Sequence, residues 1–187
     1  LVGPPPMEDC YLAKATERLF LPLLQMVFPE IRDYWLPWEG VFHNIVVVSI
    51  DKAYAGHAQK IMSGLWGQGQ MSFCKAIVVV DGDVNPQSPD EVMTAFLNRF
   101  DPANDIMLTR GVLDVLDHSS PWANYGHKIG IDLTRRMGDE PERLHFLDGS
   151  APLPDQKSVS EIYQDLEGVL AARCLAGGRR NRIVGLN

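Results

Sequence analysis

The sequence predicts an α/β fold: a mixed, mostly parallel sheet flanked by helices, with a long loop region and a C-terminal helix. "VFHNIVVVSI" and "FCKAIVVVD" are dominated by β-branched residues, too short and too continuous for surface helices and suited to strands covered on both faces. Each is followed by a segment of helical apolar spacing. Strand, helix, strand and helix in that order imply parallel pairing through a right-handed crossover.

Taken in order, "MEDCYLAKATERLFLPLLQMVF" reads as an amphipathic helix with Leu12, Ala15, Leu19 and Leu23 on its apolar stripe and Glu8 and Asp9 at its N-terminus. Pro22 is expected to kink or divide it, because proline removes a backbone donor and clashes with the preceding turn. "IRDYWLP" then reads as a short strand. "AGHAQKIMSGLWG" is helical, with Ala58, Ile61, Met62 and Leu65 as the buried stripe and Gly67 and Gly69 ending it. "SPDEVMTAFLNRF" is a helix with Ser88 as N-cap, Pro89 at its first position and Glu91 placed for a capping box. "DIMLTRGVLDVLDH" supplies one or two short strands. From Ser119 to Asp155, Pro, Gly and Asp abound, and only "IGIDLT" is strand-like. The expected domain is 1–187, with a core over about 3–136, a loop or linker over 137–156 and a terminal helix over 157–178.

Composition sets the broad class. The 187 residues are 45% hydrophobic and 22% charged, as in a soluble globular protein, and no apolar run is long enough to span a bilayer. The net charge of -7 repels a phosphate backbone, and the basic cluster "GGRRNR" reads as a solvated tail, so no nucleic-acid partner is expected. Cys10, Cys74 and Cys174 are odd in number and widely spaced, which points to a reducing, cytoplasmic setting and away from zinc. "LVGPPPMED" lacks an initiating Met and reads as an interdomain linker, so an excised domain is expected.

Candidate chemistry is sparse. Asp81, Asp83 and Asn85 alternate as in a calcium loop, but Pro86 stands where the sharp turn needs Gly and Val92 where a bidentate Glu is needed, so a polar turn with helix caps is the better reading. His43, His57, His118, His127 and His145 keep no metal-ligand spacing; His43 and His57 read as hydrogen-bonded structural residues. Gly-x-Ser-x-Gly, Walker A and Gly-x-Gly-x-x-Gly patterns are absent, and "GLWGQGQ" follows a helix where a phosphate cradle precedes one. Lys128 and Asp132, on either side of Gly130, either orient a ligand or form a loop-fixing ion pair.

The order of "FPEIRDYWLPWEGVFHNIVVVSIDKAYAGHAQKIMSGLWG", "CKAIVVVDGDVN", "NRFDPANDIML", "LDVLDHSSP" and "GHKIGIDLT" resembles the C-terminal domain of the UbiD family of carboxy-lyases, from about Gly3 to Thr134. The family's best-known members are the polyprenyl-hydroxybenzoate decarboxylases of quinone biosynthesis. The resemblance implies reversible decarboxylation of aromatic or α,β-unsaturated acids, a quinone-precursor hydroxybenzoate among the candidates, on prenylated FMN with manganese and potassium. It further implies that these are held by an N-terminal domain, with none bound to this chain alone, and that the partners are that domain, further copies in a homo-oligomer and a flavin prenyltransferase supplying the cofactor. The family's catalytic acids lie in a Glu-Gly-Pro-Phe-Gly-Glu/Asp segment that these 187 residues lack, and "PPPMED" matches sequence downstream of it, so Glu8 is given no catalytic role.

Carried over by resemblance, Phe73 from the strand matching "SFCKAIVVV", and Leu113 and Val115 from the loop matching "GVLDVLDH", form an apolar wall of the substrate pocket. Core packing is the plainer alternative for all three. Some relatives send a lysine to the flavin phosphate from the position of "GQGQM"; here Gln70 stands nearby as a neutral donor. The rival readings are a non-catalytic binding or oligomerisation module and a flavodoxin-like nucleotide binder.

Overall fold

The computed structural model describes residues 7–42 and 44–141; the expected terminal helix and most of the expected linker lie outside the described residues. Helix α1 (Met7–Val27) leads into strand β1 (Ile31–Trp35) and β2 (Ile45–Ile50), followed by α2 (His57–Trp66), β3 (Ala76–Asp81), α3 (Pro89–Arg99), β4 (Ile106–Val112) and β5 (Tyr125–Asp132). The five strands lie in the order β1-β2-β3-β5-β4. The sheet is mixed: β2, β3 and β5 are parallel at its centre, and each edge strand is antiparallel to its neighbour.

The two valine-rich runs form the centre because side chains alternate across a strand and both faces are covered. Val46, Val48, Ile50, Ile77 and Val79 pack with Ala58, Ile61, Met62 and Leu65 of α2 on one face. Val47 and Val80 pack with Ala95 of α3 and Leu133 on the other. Two glycines allow the close approach of α2. A Cβ at Gly64 would stand 2.6 and 2.7 Å from the Phe28 ring, and one at Gly130 would collide with the Met62 sulfur.

Helix α1 corrects the expected stripe. Cys10, Ala13 and Glu17 are its buried residues, whereas Leu12 and Ala15 are exposed and Leu19 and Leu23 are 70% and 55% exposed. The physical reason is that α1 closes the open edge of β1, whose backbone groups need polar partners. Lys14 donates to Leu36 O (2.6 Å), Glu17 accepts from Leu36 N (2.6 Å), Arg18 donates to Tyr34 O (3.0 Å) and Gln25 donates to Ile31 O (3.0 Å). Nor does Pro22 divide the helix, which runs through it to Val27 with the proline on the exposed face.

Three further differences are local. Ser88 caps α3 by accepting from Glu91 N, but the Glu91 carboxylate accepts from Asn85 N (2.8 Å) instead of closing a capping box. The β4 segment is one strand. Strand β5 begins at Tyr125, inside the stretch expected as loop, because it pairs with β4 from Val112–Tyr125 to Ile106–Ile131. Its Gly, His and Lys residues carry little strand propensity of their own.

Between β1 and α2, a polar cluster joins the layers. The His57 ring accepts from Ala53 N at Nδ1 (3.1 Å), so Nε2 carries the proton and donates to Glu30 (3.0 Å), which also pairs with Lys60. This agrees with the structural role expected of His57. Burial alone would raise the Glu30 pKa, but the hydrogen bonds from Lys60, its own backbone amide and His57 hold it down at about 2.

Two outcomes follow from these contacts. Gly64→Ala is expected to cost about 1–2 kcal/mol in urea unfolding, because crowding Phe28 outweighs the helix-propensity gain of about 1 kcal/mol; adding Phe28→Leu should recover most of the loss. Glu30→Gln should lower the melting temperature by an amount that is full above the ordinary carboxylate value of 4.5 and shrinks as pH falls toward about 2, because the ionised form is the one the fold stabilises. Melting curves of both proteins across that window test this.

Candidate functional site

Because β3 and β5 are parallel and β4 runs opposite, the start of β3, the end of β4 and the start of β5 share one edge of the sheet. A 3-10 turn, Gly69–Phe73, precedes β3; it opens at Gly69 with a φ of +40° and is closed by Ser72 Oγ donating to Gly69 O (2.7 Å). Phe73 sits half-buried at the end of this turn, not within the strand to which its sequence motif assigns it. Leu113, directly after β4, is 1% exposed, while Val115, two residues on, is 73% exposed. Leu113 packs over Gly126, where a Cβ would stand 2.8 Å from Leu113 Cδ1 and would strike Ser120 Oγ. The three residues thus share one edge, with only Val115 largely open to solvent.

Lys75, directly before β3, lies on the same edge. Its ammonium donates to both oxygens of Asp117 at 2.9 Å and to Ser119 Oγ, while Asp117 Oδ1 also accepts from Ser119 N (3.0 Å). Burial would raise the Asp117 pKa, yet the hydrogen bonds from Lys75 and Ser119 hold it below its ordinary value. Lys128, 3% exposed, donates to Ser72 O and lies over the Trp66 ring at 5.8 Å, and burial pulls its pKa down. Asp132 lies four strand residues away, about 13 Å. It pairs with Lys52 (3.9 Å) and accepts from Thr134 N (2.8 Å), so the loop-fixing Lys128–Asp132 ion pair is not made.

The opposite edge, where open α/β sheets place ligands, is closed by ion pairs. Asp81 accepts from Arg99 (2.7 Å) and from Arg135 N (2.9 Å), Asp83 pairs with Arg135, and Asp105 pairs with Arg136. Asn85 Oδ1 accepts from Gln87 N (3.0 Å), in keeping with a polar turn that leads into a capped helix. At the N-terminus of α2, Gly56 N donates to the Glu140 carboxylate (2.9 Å), which occupies the place a phosphate would need in a nucleotide binder. His127 accepts from Arg110 Nε (2.9 Å), and His43 and His145 lie outside the described residues. Among the described residues no three His, Cys, Asp or Glu side chains converge as metal ligands, and no helix is long and apolar enough to cross a membrane.

A third feature is an apolar groove of about 360 Å³ between α1 and the 3-10 turn, lined by Phe20, Leu24, Tyr34, Leu36, Phe42 and Met71 among others. Sequence reasoning did not find this groove, since it depends on the outward turn of the α1 stripe. The Lys75–Asp117 pair also went unseen, because its members are 42 residues apart and neither belongs to a local pattern.

Comparison with known proteins agrees with the order of these elements. An uncharacterised protein of Archaeoglobus fulgidus is 52% identical over 141 residues, covering 75% of this chain and 29% of the relative. One from Aquifex aeolicus is 43% identical over 167 residues, covering 89% of this chain and 34% of its own length. The chain therefore spans about a third of these relatives. Among solved structures, vanillic acid decarboxylase of Sedimentibacter hydroxybenzoicus shares the fold, with a TM-score of 0.64, 22% identity, and coverage of 84% of this chain and 32% of that one. The UbiD-class enzyme HmfF of Pelotomaculum thermopropionicum, in complex with FMN, gives a TM-score of 0.57 and 26% identity over 79% of this chain and 32% of its own. The 3-octaprenyl-4-hydroxybenzoate carboxy-lyase C-terminal domain matches residues 10–133, and the chain belongs to that UbiD family.

Proposed function

We propose that this chain is the substrate-wall and subunit-association domain of a carboxy-lyase that reversibly decarboxylates aromatic or α,β-unsaturated acids, using prenylated FMN held by an N-terminal domain. The family match across residues 10–133 carries this reading. HmfF, with FMN in one structure and prenylated FMN in another, supports the cofactor class.

Within that reading, Phe73 and Val115 offer apolar surface to the substrate, and Leu113 supports the loop from beneath. Proton transfer to a reacting carbon needs a carboxyl within hydrogen-bond reach. On this edge Asp117 is held by Lys75 and Ser119, and Asp114 accepts from Leu116 N (2.7 Å). The turn beside Phe73 carries the neutral Gln68 and Gln70, which do not form the charged phosphate contact expected of some relatives. In this reading the flavin, metals and acid–base groups belong to the N-terminal domain. Subunit association falls to the outer face of α1, where Tyr11, Leu19, Phe20, Leu23, Met26 and Val27 are all more than half exposed, an apolar surface of the kind that marks an interface.

Full-length protein loaded with prenylated FMN should turn over hydroxybenzoate-type or cinnamate-type acids, and this chain alone should not. Val115→Asp should lower kcat/KM about tenfold or more, the range for spoiling an apolar substrate contact. Turnover by the chain alone, or none by the loaded full-length protein, sinks the reading. For association, sedimentation of this chain should show an oligomer that Leu19→Glu with Leu23→Glu converts to monomer; a monomeric wild-type chain would remove α1 from that role.

A further inference from the structure

We infer that Lys75 and Asp117 form a positioning clasp that sets the placement of Val115 relative to Phe73, and with it the shape of the substrate wall. The inference rests on the decarboxylase reading above and names residues that act through others, touching neither substrate nor cofactor themselves.

Sequence spacing gives the first reason. Phe73 lies two residues before Lys75, and Val115 lies two residues before Asp117, so the ion pair ties together the two chain segments that carry the wall. One side of the clasp is fixed in the sheet. Lys75 N donates to Asn44 O (3.1 Å) and Lys75 O accepts from Ile129 N (2.9 Å), so its backbone is held between the β2 and β5 sides.

The other side is a loop that is stiff in itself. Leu116 N donates to Asp114 Oδ1 (2.7 Å), Asp117 N to Asp114 O (3.0 Å) and Ser119 N to Asp117 Oδ1 (3.0 Å), which turns residues 114–119 into consecutive side-chain-closed turns. The loop's ends are held near Gly126, by Leu113 N donating to Asn124 O (2.9 Å) and Ser120 Oγ donating to Tyr125 O (2.6 Å). Its middle is held by Lys75. A stiff loop pinned at both ends and once in the middle transmits the pin's position to Val115, which makes the clasp more than a general staple. The Asp117 side chain is 6% exposed and both its oxygens accept from the one Lys75 ammonium, so the pair is less screened by solvent than a fully exposed ion pair.

The test uses full-length protein with prenylated FMN and the variants Lys75→Met, Asp117→Asn and Lys75→Arg. In the first two, KM for the acid should rise at least fivefold with kcat within about twofold of wild type, and Lys75→Arg should restore most of the loss. Hydrogen exchange read on the same proteins should quicken tenfold or more at amides 113–120 and stay unchanged at 76–81, which also verifies the fold. Unchanged loop exchange overturns the clasp. Faster loop exchange with an unaltered KM overturns its positioning role and leaves a staple. If the loaded wild-type protein turns over no acid, the decarboxylase reading fails and the positioning role falls with it, whatever the loop exchange shows.

Discussion

The structure depends on the burial of β2 and β3 on both faces. Two adjacent strands of almost unbroken β-branched residues carry only Ser49 and the terminal Asp81 as polar side chains, and helices must cover both sides. Polar chemistry is therefore confined to the ends of the strands and to the outer strands. At the C-terminal ends the acids Asp81, Asp83 and Asp105 are matched by Arg99, Arg135 and Arg136; at the N-terminal ends Lys75 and Lys128 meet Asp117 and a backbone carbonyl. The lateral edge at β1 is closed by polar side chains of α1. That division explains how a helix with a strongly apolar sequence comes to turn its apolar stripe outward: its inner face is occupied by the hydrogen-bonding needs of a strand edge.

Much of this was legible in the sequence where a single local rule decides the outcome. Periodicity gave β2, β3 and α2 with their buried residues, and Ser88 with Pro89 marked the start of α3. The same rule misled at α1, because Cys10, Ala13, Leu21 and Leu24 also recur at helical spacing and only the neighbouring strand edge decides which stripe goes in. Strand β5 was half hidden, since Gly126, His127 and Lys128 become strand through pairing with β4. The family resemblance was legible for another reason: ordered motifs survive where single side chains carry little information. The Lys75–Asp117 contact belongs to neither kind of signal, being a product of how β3 and the β4–β5 loop meet in space.

The two ends of the central strands also differ in their polar partners. Ligands of open α/β sheets ordinarily lie outside the carboxyl ends of the strands, yet here that end is neutralised internally, and the residues that family resemblance assigns to the substrate lie at the other end. The carboxylates nearby, Asp117 and Asp114, are engaged in hydrogen bonds with Lys75 and Leu116 N. The chain spans about a third of these relatives.

The way the β4–β5 loop is fastened has a consequence for how such proteins diverge. Its hold on the sheet comes from Asp114, Asp117, Ser119, Ser120 and the buried Leu113, none of which is Val115, and Val115 points most of its surface to solvent. Side chains at that position can be exchanged with little cost to folding. That outward-facing position can therefore vary while the scaffold beneath stays under separate selection for stability.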